Sequence, residues 1–232
     1  MIYSEKTLAK FRENVKNLVF QYNEKNVSDL HVIISKGNRK IGHTMNVSLL
    51  PIFTCANCKK CMEYCYDIKA CIQYKNVIKA RVNNTVMVKK YMNEYFAQIE
   101  KAIQKRRKNF FFRWHVSGDI INEEYLDNMV RIAKKYPHFT FWTYTKNYTC
   151  VNNYVSKHGN NRKKAIPANL SIMFSEWQGL PMENHYNFPV FVCIMPDEKF
   201  RKGYYKCTGN CNDCIANKTG CVAGKSSQVG LH

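Results

Sequence analysis

The spacing of apolar side chains divides the chain into helical and extended stretches. Residues 4–25 place Leu8, Phe11, Val15, Leu18, Val19 and Tyr22 on one side of a helix. Residues 29–35 carry His-Val-Ile-Ile and are expected as a strand, with 46–53 as a second. Over 85–107, Tyr91, Tyr95, Ile99 and Ile103 recur every fourth position, which predicts one long helix. The aromatic-rich stretch 110–117 reads as a strand. Asp119 or Asn122 then caps a helix carrying Tyr125, Leu126, Met129, Val130 and Ile132, and Pro137 ends it. A strand at 139–145, a short helix near 148–157 and strands at 170–175 and 189–195 complete the pattern.

Strands alternating with helices imply parallel pairing, because a parallel neighbour needs a crossover. A full eight-unit barrel takes about 250 residues. The expected fold is therefore α/β: a compact or partial parallel β/α barrel with a C-terminal cysteine-rich appendage, an open doubly wound sheet being the alternative. The composition shifts to Lys, Gly, Asn and Cys after Pro196. That divides the chain into a barrel-like domain, 1–196, and a cysteine-rich metal-binding segment, 197–232. Parallel α/β folds place working residues at the C-terminal ends of strands. Ser117-Gly118-Asp119, Thr145-Lys146, Ser175-Glu176 and Pro196-Asp197 occupy such ends, and the first cysteine run follows another. Strand alternation puts Arg113, His115 and Ser117 on one face, opposite Phe112, Trp114 and Val116.

Cysteine adds the chemistry. Eight of the eleven cysteines fall into two runs: Cys55, Cys58, Cys61 and Cys65, then Cys207, Cys211, Cys214 and Cys221. The first has C-x2-C-x2-C-x3-C spacing, as in bacterial ferredoxin-type sequences, and Cys71 adds a candidate fifth ligand. The second is C-x3-C-x2-C-x6-C. Each suits an iron–sulfur cluster, a 4Fe-4S cluster foremost, or a tetrahedral zinc ion; spacing alone does not separate them. The start of the chain lacks a signal-peptide pattern, and no apolar run is long enough for a membrane span. A reducing cytoplasm is therefore expected, where metal ligation explains so many thiols better than disulfides do. Gly224-Lys225-Ser226-Ser227 is not a phosphate loop, because Thr219 stands where the earlier glycine belongs.

Charge adds a partner class. The 36 basic and 17 acidic side chains leave a formal charge of +19. Nucleic acid or another polyanion is the natural partner of such a chain. Basic clusters stand at 105–108, 162–164 and 199–202, the last adjoining Tyr204 and Tyr205.

Several segments together resemble the phage and plasmid gene product 88 family across about residues 42–232. They are Thr54-Cys55, Cys61-Met-Glu-Tyr-Cys65-Tyr66, Asn76-Val77 to Arg81, Phe112-Arg-Trp-His-Val-Ser-Gly-Asp119, Tyr144-Thr145-Lys146 and the terminal cysteine group. The family is distantly similar to radical S-adenosylmethionine barrels. That resemblance implies a cluster at a barrel mouth and S-adenosylmethionine as a candidate cosubstrate. The C-x3-C-x2-C order of those enzymes is absent from the first run and present in the second.

The expected function is that of a cytoplasmic iron–sulfur protein of a phage or mobile element, carrying out redox or radical-type chemistry. Arg113, His115, Asp119, Lys146 and Glu176 are the expected pocket residues. Arg113 or Lys146 would bind an anionic group, and Asp119 or His115 would handle protons. The alternatives are a zinc-stabilised basic nucleic-acid-binding module without catalysis, and an adaptor that binds a host protein.

Overall fold

The computed structural model describes residues 2–58 and 60–231; Met1, Lys59 inside the first cysteine run, and His232 lie outside them. Helix α1, Glu5–Asn23, starts where the Ser4 hydroxyl accepts the Thr7 amide at 3.2 Å, and it turns Leu8, Phe11 and Val15 inward. After the first cysteine run come α2, Tyr66–Gln73, α3, Lys75–Lys90, and α4, Met92–Gln104. The single helix expected over 85–107 is thus two. Tyr91, at φ −137° and ψ 55°, leaves helical geometry between them. Helix α3 also begins well before residue 85. Its buried side carries Asn83, Asn84 and Thr85 among the apolar residues, so apolar spacing undercounts it.

Those buried amides explain a second correction. Residues 29–35 add no strand to the sheet: Ser35 makes a single antiparallel bridge to Asn46, and side chains satisfy the backbone of His31, Val32 and Ile33. Asn84 accepts from the Ile33 amide at 2.8 Å and donates to the Ile33 carbonyl at 2.9 Å. Asn83 donates to the His31 carbonyl at 2.7 Å, and Gln98 of α4 accepts from the Val32 amide at 2.8 Å.

Seven strands, one more than the pattern suggested, form one sheet among the described residues. They are β1, Met45–Asn46; β2, Phe111–Arg113; β3, Thr140–Thr145; β4, Leu170–Glu176; β5, Val190–Ile194; β6, Tyr205–Lys206; and β7, Ser227–Gly230. The order is β1-β2-β3-β4-β5-β7-β6, and every neighbouring pair is parallel. Helices α5, Glu123–Lys135, α6, Tyr148–Lys157, and the single turn α7, Arg162–Ala165, provide crossovers. Asn122, not Asp119, caps α5, accepting the Tyr125 amide at 2.8 Å. The strand expected at 46–53 is cut to two residues. Its continuation is held irregularly by Val116 N–H to Val47 O, 3.3 Å, and Leu49 N–H to Ser117 O, 2.8 Å, before the chain turns at Ile52, φ 69°.

The two faces of the sheet differ. On the outer face Phe112, Trp114 and Phe141 pack with Phe96 of α4 and Tyr125 of α5, the Phe96 and Trp114 rings 5.9 Å apart. On the inner face Trp142 and Met173 pack with Cys221, and Phe111, Tyr144, Phe191, Ile215 and Val222 close around them. Ile215 belongs to α8, Cys211–Ala216, and Cys221 and Val222 to the 3-10 turn Gly220–Ala223. The fold is a partial β/α barrel, and its cysteine-rich C-terminal segment covers the inner face. Strands β6 and β7 of that segment complete the sheet. Among the described residues no helix is long and apolar enough to cross a membrane.

Candidate functional site

The first cysteine run lies across the C-terminal ends of β2, β3 and β4. Each attachment uses a residue inside or beside the run. Asn57, in left-handed conformation at φ 52°, donates to the Lys146 carbonyl beyond β3 at 2.7 Å. The Tyr64 ring meets that of Trp177 beyond β4, 5.8 Å between centroids. The Tyr66 hydroxyl donates to the Val116 carbonyl beyond β2. Upstream, Thr54 is buried and donates to Leu50 O at 2.7 Å. Gly118, at φ +88°, passes so close that a Cβ there would stand 2.6 Å from Leu49 Cβ and 2.8 Å from Thr54 Oγ1. The Ser-Gly-Asp turn and the entry to Cys55 are therefore one packed unit.

Within the run the thiols meet. Cys58 hydrogen-bonds with both Cys55 and Cys61; those bonds, and then burial, push its thiol pKa up. Cys65 stands at the start of α2. Burial pushes its thiol up to about 11 against the pull of the Ile68 and Asp67 amides, and Cys55 repels its charge. Cys71 belongs to a different arrangement. Its buried thiol is 3.7 Å from an Asp67 oxygen, and Asp67 pairs with Arg81 at 3.1 Å.

The second run forms its own group. Cys211 and Cys214 each feel the charge of Cys207, Cys211 also that of Cys214, and Cys221 feels Cys207. The backbone places them: Cys207 N–H bonds to Gln228 O of β7 at 2.8 Å, and Cys211 N–H to Lys40 O at 2.8 Å. Gly220, φ +58°, lets the chain approach Cys214, since a Cβ there would be 3.0 Å from the Cys214 sulfur. Burial pushes the Cys221 thiol up to about 11 against hydrogen bonds with Ser227 and Tyr144. All eleven cysteines are free thiols. Among the described residues no three His, Cys, Asp or Glu side chains close around a single ion position. By donor type each run offers four thiols, the ligand chemistry of zinc and iron–sulfur centres.

The five residues expected in one pocket are distributed over four places. Asp119 and Lys146 meet at the rim. Asp119 is buried and accepts the Ile120 amide at 2.7 Å and the Lys146 amide at 2.9 Å. Burial pushes its carboxyl up to about 6, opposed by Thr145 and Lys146. Lys146 Nζ reaches Ser175 Oγ at 3.2 Å and stands 5.8 Å from the Trp177 ring. Glu176 instead binds Arg201, with one contact of 2.9 Å. That pairing withdraws Arg201 from the basic cluster at 199–202.

His115 and Arg113 part company, contrary to the alternation expected of an unbroken strand. Strand β2 ends at Arg113, and His115 adopts φ +55°. The imidazole turns to the outer face, where Nδ1 is 3.1 Å from Thr143 Oγ1 and Nε2 is 2.9 Å from the Tyr125 hydroxyl. Arg113 stays on the inner side, its guanidinium 4.9 Å from the Tyr144 ring. Tyr66, Tyr144, Asn57 and Trp177 were missed as site-forming residues. Tyr66 and Tyr144 left a signal, each standing in a segment that resembles the gene product 88 family.

His115 has a measurable consequence. Burial, then the Arg113 charge, pushes its pKa from 6.5 down to about 3. The unfolded chain therefore takes up a proton that the folded chain refuses as pH falls from 6.5 towards 3. Stability is lost across that window, by an upper bound of about 5 kcal/mol for one such group. Asp119 acts oppositely: its raised pKa contributes stability at low pH that is lost as pH rises from about 4 to about 6. Urea unfolding between pH 7 and pH 4 should show a weaker acid destabilisation in His115→Gln than in the native chain. An unchanged slope would refute this account.

These features define a parallel α/β protein carrying two groups of thiols, one at the sheet's rim and one on its inner face. The family model described as Gene product 88 matches residues 17–214, and the chain belongs to that family. The comparisons with curated proteins and with solved structures give no match.

Proposed function

We propose that this protein is an iron–sulfur protein. In this reading Cys55, Cys58, Cys61 and Cys65 hold a four-iron cluster at the rim, and Cys207, Cys211, Cys214 and Cys221 hold a second thiolate centre. The carrying observation is the contact of the Cys55, Cys58 and Cys61 thiols through Cys58, over the ends of β2–β4. A cluster there would supply one-electron chemistry. Around it the chain offers Lys146, which would attract an anionic substrate group, and Asp119, which would exchange a proton near pH 6.

Cys221 lies with Cys207 and offers the second centre a fourth thiolate. This favours electron transfer over cleavage of S-adenosylmethionine, which needs an open iron. Free thiols throughout support a reducing location, the cytoplasm of a host cell carrying the phage or mobile element.

Anaerobic purification with iron, zinc and acid-labile sulfide analysis and a visible spectrum tests the reading. A brown protein with iron and sulfide is expected. A colourless protein with stoichiometric zinc would overturn the iron assignment. Release of 5′-deoxyadenosine from S-adenosylmethionine by reduced protein would restore the radical branch.

A polyanion-binding role is the second reading. A groove of about 680 Å³ between α1 and α2–α3 is lined by Phe11, Leu18, Ile72 and Ile78 together with Lys6, Lys10, Lys75 and Lys79. Nucleic-acid binding that weakens steeply with salt would support it.

A further inference from the structure

The groove between α1 and α2–α3 has an apolar floor and basic rims. Phe11 and Leu18 of α1, Ile72 of α2 and Ile78 of α3 lie along the floor, where Phe11 is buried and Ile72 is 54% exposed. Lys6 and Lys10, one turn apart on α1, stand on one rim, and Lys75 and Lys79, one turn apart on α3, stand on the other. None of the four enters an ion pair among the described residues, and no acidic side chain lines the groove. Asn14, Asn17 and Gln21 continue the α1 rim at helical spacing. From Lys6 to Gln21 that rim runs about 22 Å, roughly four helical turns. A second hollow of about 490 Å³ shares Thr7 and Ile72 with the groove and adds Lys69 and the exposed Ile2.

We propose that this groove docks an amphipathic helix of a partner protein, with its apolar side on the floor and Asp or Glu along both flanks. Nothing in this depends on metal at the cysteines. The walls are helices, whose backbones pair internally, so an extended segment would find no open edge to join. A helix brings its own backbone satisfied and needs only side-chain contacts. Apolar residues at i, i+3 or i+4, and i+7 would cover Leu18, Ile72 and Ile78. Acidic flanks would meet the lysines of both rims, fix the position of the helix and reject basic partners. Nucleic acid matches the lysines alone: its phosphates leave the aliphatic floor uncovered, and the buried Phe11 offers no stacking platform. A second copy of this chain would bring a formal charge of +19 to basic rims.

The test measures fluorescence anisotropy of a labelled synthetic peptide added to the full chain. The peptide is an alanine-based helix of about 18 residues, about 27 Å long. It carries Leu at i, i+4, i+7 and i+11 and Glu on both flanks. It should bind saturably, and about tenfold or more tighter than a scrambled peptide of the same composition, whose Leu residues no longer share a face. Ile72→Asp, at an exposed position, should weaken binding about tenfold while the melting temperature stays native. Lys10→Glu combined with Lys79→Glu should weaken it by a similar factor and should bind a peptide with Lys in place of Glu, a gain that unfolding could not produce. No saturable binding of the Glu-flanked peptide, equal binding of the scramble, or unchanged binding by Ile72→Asp would each overturn the inference. In the first case, duplex DNA binding that is lost with the two lysine reversals would return the groove to nucleic acid.

Discussion

On the proposed iron–sulfur reading, replacing Cys58 with alanine is expected to abolish metal binding at the rim. Cys58 is the thiol that joins Cys55 to Cys61, so its loss divides the donor set rather than trimming its edge. The remaining sulfurs would have to close around iron without their central member. The loss in affinity should exceed the roughly tenfold to hundredfold cost of altering a group that merely supports a ligand. Iron and sulfide per chain should fall to the level of the second centre, and the visible absorption should drop in proportion. Cys150→Ala is the control, because Cys150 lies on α6 and belongs to neither group. Full iron and sulfide retention in Cys58→Ala would remove the first run from metal binding.

Gly118→Ala is expected to be strongly destabilising and to disturb the entry to the first cysteine run. Two costs add at this position. The backbone sits at φ +88°, which penalises any side chain by about 1–2 kcal/mol. The new Cβ would also meet Leu49 Cβ at 2.6 Å and Thr54 Oγ1 at 2.8 Å, and overpacking typically costs about 1–3 kcal/mol more. A total of about 2–5 kcal/mol lowers the melting temperature by roughly 5–15 °C in a protein of this size. Relief of the clash pushes on Thr54, the residue before Cys55, so metal content should fall as well. A Gly118→Ala protein with native melting temperature and full metal would show that the turn does not brace the cysteine loop.

Much of the scaffold was legible because burial leaves a periodic trace. Helix α1, the helix after Asn122, the strand at 139–145 and the helix at 148–157 all stand where apolar spacing put them. The misses have a common cause. In the middle of the chain, Asn83, Asn84, Thr85 and Gln98 replace strand or helix partners with side-chain amides and hydroxyls. A buried Asn that pairs backbone looks polar in a hydrophobicity pattern, so α3 was shortened and residues 29–35 were read as a strand. β6 and β7 were missed because they are short and lie among glycines and cysteines.

The amino-acid order alone determined the parallel α/β class, the two thiol groups and their separate loops, because periodicity and ligand spacing are local properties. Which thiols meet, and what faces them, only the tertiary structure decided. One left-handed residue at His115 sends the imidazole to one side of the sheet while Arg113 remains on the other. The C-terminal segment then folds back over the inner face and packs Cys221 against Trp142 and Met173. Both steps depend on contacts between residues far apart in the chain, which no local pattern encodes.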